Sequence, residues 1–428
     1  MAEGDEAGVA LLAQLESLLS LDHLIDEVGH VHPSQLSSLR QGNMNTRASD
    51  PVIDTSVFWC ADHKLAISTD AIGPLYTAAK SAFISSRKSY EKLLSESSNR
   101  TPSTESVENE DLHILTKQLL SHSKALIILN PMYKTAWDVR RQVFVSLSTV
   151  CTAEECQLSS SALSITSKCE EAWAHRRWTI HSRILPSFSS KIPEDLLEEE
   201  FKLVTMIADR ARMNYRAWRH CSWLVQWMSL PQVFQELKRR RRWAELHVAE
   251  SSCFHYRRCL FQKLLTEDHS SMELKNVWLE EVQWIKDLIK RYIGREALWL
   301  HQRFLFFMWI EHFKSPYSCD PPILPQSSNE GVCPEVDAEI LFANSCIASC
   351  INDDTEDGVR QVVYATTFKL WVILKCQQNV LKFLVPSKFH SNELHDIEQL
   401  LRSKAAYQKP LWDGLFEGLL HRNAPVSS

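Results

Sequence analysis

The chain has 428 residues, a formal net charge of −6 at pH 7 and only 10 Gly. This balance gives no global pull towards nucleic acid. Glycine so far below its usual share of about 7% argues against sheet-rich folds and Gly-rich phosphate loops. Leu, Glu and Ala are abundant, and these favour helix. The 14 Trp residues each need a large apolar neighbour. The 12 Cys form no C-x-x-C and no Cys/His group with zinc spacing, so they read as reduced thiols of the cytoplasm or nucleus. No apolar run approaches the ~20 residues of a membrane span, and the acidic start from Met1 to Glu6 lacks the basic region of a signal peptide. A cytoplasmic protein is expected.

In chain order, residues 1–94 read as N-terminal helices and links. Val9, Leu12, Leu15, Leu19 and Leu24 predict a helix over 8–28. Residues 29–56, with Pro33, Gly42 and Pro51, read as an irregular link, and Leu75 to Leu94 as a second helix. The Ser/Glu/Asn-rich stretch 95–110 reads as a mobile linker. Residues 111–312 hold five helical pairs. In the first pair Leu112, Leu115, Leu119, Leu120, Ala125 and Ile127 predict a helix that stops at Asn130-Pro131. In the third, Leu197, Phe201, Val204 and Ala208 line one helix face. A Pro-rich loop is expected over 313–335. Residues 336–428 read as C-terminal helices, over 336–349, 359–384 and 391–407. A last apolar cluster follows at Trp412, Leu415, Phe416, Leu419 and Leu420.

The pairs are defined by aromatic anchors: Trp137, Trp173, Trp218, Phe254 and Trp299, at steps of 36, 45, 36 and 45 residues. Recurrence at this period marks a stacked array of helical pairs. Arg140, Arg176 and Arg257 follow their anchors by three residues, which places each on its anchor's helix face. Gln302 holds that place after Trp299, with Arg303 one further, and Cys221 holds it after Trp218. His175, His220 and His301 follow by two, with Tyr256 in the fourth unit. The anchors read as scaffold, and the Arg residues as groups that satisfy a turn carbonyl or an acid in the adjoining unit. Burying such a Trp is worth about 4–6 kcal/mol as an upper bound. The basic run Lys238 to Arg242 reads as a solvated helical surface, with a localisation tag or an acidic-partner contact as alternatives. The acids Glu194, Asp195, Glu198, Glu199 and Glu200 complement a helix dipole. No set of residues forms a self-contained active site or a metal site.

Asn130-Pro131 with Trp137-Asp-Val-Arg-Arg141, Trp173-Ala-His-Arg-Arg-Trp178, Asn214-Tyr215-Arg-Ala-Trp218-Arg-His220 and Ala297-Leu-Trp299-Leu-His301 resemble the repeats of the protein prenyltransferase α subunits. The resemblance covers roughly 111–312. It implies an all-α fold, a right-handed superhelical array of antiparallel helical pairs, tetratricopeptide-like and crescent-shaped, that wraps a separate β subunit. It further implies that the catalytic zinc sits on that β subunit and that this chain binds no cofactor itself. The pair would then move an isoprenoid, geranylgeranyl, from its diphosphate to a C-terminal Cys of a protein substrate. Lys168, five residues before Trp173, takes the family's diphosphate-contacting position. A fixed ammonium there stabilises the departing charge more in the transition state than in the ground state. Asn214 and Tyr215 would border the same site. Two departures stand out: Cys169-Glu170 replaces an Asn-Tyr, and Glu171 replaces a Gln that holds the substrate carboxylate in farnesyltransferase-like members. Glu171 would repel a carboxylate. The alternative is a non-enzymatic helical-repeat adaptor, although the tetratricopeptide period of about 34 residues differs from these steps.

Overall fold

The computed structural model describes residues 2–42, 53–97, 105–146, 151–188, 191–267, 272–313, 334–378, 392–406, 409–414 and 416. The chain divides into two compact units, Met1–Ser229 and Leu230–Ser428.

Unit 1 opens with α1 (Ala2–Leu21), β1 (Glu27–Val31), α2 (Pro33–Gly42), β2 (Phe58–Ala61), β3 (Lys64–Ser68) and α3 (Thr69–Ser97). Three helical pairs follow: α4 (Glu105–Leu129) with α5 (Lys134–Ser146), α6 (Thr152–Ile165) with α7 (Glu170–Thr179), and α8 (Glu194–Arg210) with α9 (Tyr215–Leu224). The all-α array is present as expected, but the N-terminal segment adds a sheet of order β1-β3-β2. β1 runs parallel to β3, and β2 antiparallel to it. The helix expected over 8–28 therefore ends at Leu21, and in the link expected over 29–56 residues 29–31 are strand and 33–42 helix, while 43–52 lie outside the described residues. The β2–β3 hairpin turns on Asp62 and His63, at φ 48° and 61°. Both take the left-handed conformation that such a tight turn requires, without the glycine that usually signals it.

The free edge of β1 is covered by α6. Ser164 Oγ accepts from Val28 N at 2.8 Å, Ser161 Oγ donates to Ile25 O at 2.5 Å, and Gln157 Nε2 donates to Leu24 O at 3.0 Å. Helix hydroxyls and an amide thus satisfy backbone groups on β1 and on the residues that lead into it, along an edge that would otherwise be open. Glu27 adds an ion pair to Arg210 of α8 at 2.9 Å. Helix also takes both ends of the linker expected at 95–110, while 98–104 lie outside the described residues.

Unit 2 holds α10 (Leu230–Arg239), α11 (Arg241–Leu246), α12 (Ser251–Glu267), α13 (Met272–Arg291), α14 (Glu296–Met308), α15 (Pro334–Cys350), α16 (Glu356–Gln378) and α17 (Asn392–Lys404). Most of the expected Pro-rich loop, 314–333, and residues 379–384 of the helix expected over 359–384 lie outside the described residues. Of the final apolar cluster, Trp412 and Phe416 are buried, and Leu415, Leu419 and Leu420 lie outside that set.

All five anchors are buried. Trp137 Nε1 donates to Pro131 O at 2.8 Å and Trp173 Nε1 to Ser167 O at 3.3 Å, so each indole closes the turn before its own helix. The rings also meet the next repeat. Trp137 lies 4.8 Å from His175, Trp173 5.0 Å from His220, and Phe254 5.6 Å from His301, centroid to centroid.

Candidate functional site

The repeats are locked by a row of buried acids. Glu155 accepts from Arg140 Nε at 3.0 Å and from Nη2, and from His175 Nε2 at 2.8 Å. Glu200 accepts from Arg176 Nε and Nη2 at 2.7 and 2.6 Å, and from His220 at 2.7 Å. Glu281 repeats this with Arg257 at 2.7 and 2.6 Å and His301 at 3.0 Å. Each His lies 20 residues after its acid. Each Arg also donates Nη1 to a backbone carbonyl: Leu120, Cys156 or Leu237. The Arg residues thus bind an acid of the next helical pair, and the carbonyls they reach lie within helices rather than in turns. Gln302 stands in for Arg in the next copy, donating to Glu339 at 2.7 Å, with Lys286 at 2.7 Å from the same carboxylate.

Burial alone would raise the carboxyls of Glu155, Glu200 and Glu281. The Arg charge and the His and Arg hydrogen bonds outweigh it and hold all three at about 2. Burial pushes His175, His220 and His301 down, so each is neutral and donates through Nε2. Glu200 is therefore a buried ion-pair partner, which corrects its reading as a dipole-complementing acid.

The acid at the start of the fourth unit departs from this plan. Cys221 precedes it where the pattern puts Arg, and this acid, Glu236, is met by Arg240 of its own helix end at 2.6 Å. Arg240 is buried, and Arg241 lies 3.7 Å from Glu281. The basic run is thus partly internal, which corrects its reading as a solvated surface. Here burial outweighs Arg240 and raises the Glu236 carboxyl. A raised carboxyl penalises the folded state once ionised. Glu236→Gln removes that penalty but leaves the buried Arg240 guanidinium against a neutral amide. A net loss of about 1–3 kcal/mol at pH 7 is therefore expected, measured by urea unfolding and smaller than for a pair whose acid is held at about 2. An unchanged stability would contradict this account.

The residues singled out for chemistry lie on two neighbouring turns. Lys168 is exposed in the turn between α6 and α7. Asn214 caps α9 and is buried, its Oδ1 accepting from Ala217 N at 3.3 Å. Its Nδ2 donates across to Ser167 O at 2.9 Å. The residue next to Lys168 is therefore bound directly to the turn of the following repeat. Tyr215 is 51% exposed, with the Arg216 guanidinium 5.0 Å from its ring centroid. Asn214 positions the turn, while Lys168 and Tyr215 present their side chains outward.

A feature that sequence reasoning missed lies beside them. Glu170, the first residue of α7, accepts from Arg177 at 2.7 Å and Arg216 at 3.2 Å, with Arg219 at 3.7 Å. The only sequence signal was the pair Arg216 and Arg219, three apart on α9. Cys169 is buried, its thiol donating to Pro131 O at 3.2 Å, and burial pushes it up to about 11. It is not a nucleophile at neutral pH. Among the described residues, no group of three or more His, Cys, Asp or Glu is placed to hold a metal ion, and no helix is long and apolar enough to cross a membrane.

The sequence profile of the Protein prenyltransferase alpha subunit repeat matches residues 152–183 and 197–228, the pairs α6/α7 and α8/α9 that carry these turns. The chain carries the protein prenyltransferase alpha subunit repeat. It is 28% identical over 325 residues to Protein prenyltransferase alpha subunit repeat-containing protein 1 of Homo sapiens, covering 61% of this chain and 79% of that protein. To the Danio rerio protein of the same name it is 28% identical over 252 residues, 48% of this chain and 59% of the relative. Against Geranylgeranyl transferase type-2 subunit alpha of Rattus norvegicus the identity is 22% over 202 residues, 45% of this chain and 34% of that subunit. The unmatched repeats around Trp137, Phe254 and Trp299 share the anchor and acid geometry, so the repeat plan extends beyond the matched residues.

Proposed function

We propose that this chain is the α-type subunit of a cytoplasmic heterodimeric protein prenyltransferase. A β subunit supplies the zinc and the isoprenoid tunnel. The pair transfers an isoprenoid, geranylgeranyl by analogy with the transferase subunit it resembles, from its diphosphate to a C-terminal Cys of a protein. The observation that carries this reading is the exposed Lys168, on a turn fixed to the next repeat through Ser167 and Asn214 and flanked by the exposed Tyr215. An exposed ammonium on a fixed turn suits a departing diphosphate, whose charge grows in the transition state.

Co-expression with prenyltransferase β subunits tests the partner, and recovery of none would end the reading. In a reconstituted pair, Lys168→Ala is expected to lower kcat about 100-fold, in line with the loss of one fixed charge-stabilising donor. Turnover within about twofold of the unaltered pair would remove Lys168 from the mechanism. A second reading, a non-enzymatic adaptor, is favoured by Glu170, which already occupies three guanidinium groups on this face. Stable capture of partner proteins without any β subunit would support it.

A further inference from the structure

Glu170 differs from the buried acids of the ladder. Its side chain is 34% exposed, and three guanidinium groups converge on it. Three Arg against one carboxylate leave two positive charges unmatched, and Lys168 adds another exposed cation two residues earlier. Arg177 is only 15% exposed, and its Nη1 is buried with no hydrogen-bond partner among the described residues. A buried guanidinium nitrogen beside a single monoanion marks unfilled donor capacity. Arg216 links the cluster to Tyr215, over whose ring it lies.

We propose that Arg177, Arg216 and Arg219 form a binding site for the diphosphate group, occupied in the resting chain by the Glu170 carboxylate as a displaceable internal ligand. Guanidinium groups match phosphate oxygens in paired hydrogen bonds. A diphosphate offers more charge and more acceptors than one carboxylate. Glu170 is part-exposed, and ion pairs at such positions are weak enough to exchange. Its side chain can turn to water when a stronger anion arrives. Glu170 then sets the threshold for anion binding on this face. The choice of diphosphate rests on the function proposed above; the displacement itself does not.

The test is calorimetric titration of the full chain, without a β subunit, with inorganic diphosphate at low salt. Glu170→Gln is expected to bind at least tenfold more tightly than the unaltered chain, and adding Arg219→Ala to it is expected to abolish the gain. Equal affinity of Glu170→Gln and the unaltered chain overturns the proposal, as does a gain that survives the loss of Arg219. If Glu170→Gln does not fold, Arg219→Ala alone gives the reading: residual affinity must fall at least fivefold, and an unchanged affinity overturns it. A parallel titration with geranylgeranyl diphosphate separates the sources. Tighter binding than inorganic diphosphate assigns the site to a lipid headgroup, and equal binding assigns it to the free anion. Because no β subunit enters the assay, its failure leaves the heterodimer untouched, and failure to recover a β subunit leaves this result standing.

Discussion

Arg257→Ala is expected to destabilise unit 2 by about 3–5 kcal/mol, read by urea or thermal unfolding. Arg257 is completely buried and binds Glu281 through Nε and Nη2 and the Leu237 carbonyl through Nη1. It also lies 4.7 Å over the Trp284 ring. Removing it leaves Glu281 ionised in the core, held by His301 and, at 3.7 Å, by Arg241. An uncompensated buried charge costs far more than the net worth of the pair it came from, because both partners were already desolvated. The joint replacement Arg257→Met with Glu281→Leu removes both charges at similar volume. It is expected to recover most of the loss, leaving His301 with one unmade hydrogen bond at a cost of about 1–3 kcal/mol. A single-variant loss below about 1 kcal/mol would show that this ladder does not hold the repeats together.

The contrast between Arg257 and Glu281 also shows where sequence reading stops. The anchors were legible because each helical pair buries the same aromatic at the same place, and steps of 36 and 45 residues repeat that demand. The Arg three residues on was legible because helix geometry puts it on the same face. Its acid was not, since it sits on another helix, 24 residues away for Arg257 and Arg176 but 15 for Arg140. Glu200 closes a run of three glutamates, and only packing separates it from Glu198 and Glu199. The sheet was hidden by strands of four and five residues and by a hairpin turn built on Asp62 and His63. At the candidate site, Lys168 was singled out through the family resemblance, which points to the position five residues before Trp173. The environment of Glu170 was not, because Arg216 reaches it from 46 residues on. Local spacing reveals what one helix does for itself, and not which distant helix answers it.

Unit 1 is expected to unfold cooperatively in acid, and the ladder fixes both direction and range. Glu155 and Glu200 are held at about 2, against an ordinary value of 4.5. A carboxyl depressed in the folded state contributes stability that is complete above its unfolded value and is lost as pH falls towards its folded one. Each is worth about 3 kcal/mol at neutral pH. Lost together, they approach the whole stability of a typical domain, about 5–15 kcal/mol. His175 and His220 act in the same sense and begin earlier. Burial lowers both below 6.5, so the unfolded chain takes up protons there that the folded chain refuses. Stability should therefore decline gently below about pH 6.5 and steeply between 4.5 and 2. Trp137 and Trp173 lie against these two His rings at 4.8 and 5.0 Å between centroids, so tryptophan fluorescence reports the loss directly. His220→Phe removes one early proton uptake but leaves a Glu200 lone pair unmet. It is expected to flatten the decline above pH 4.5 while lowering stability at pH 7 by about 1–3 kcal/mol. A fluorescence signal unchanged down to pH 2 would mean that the two carboxylates are not what the folded state depends on.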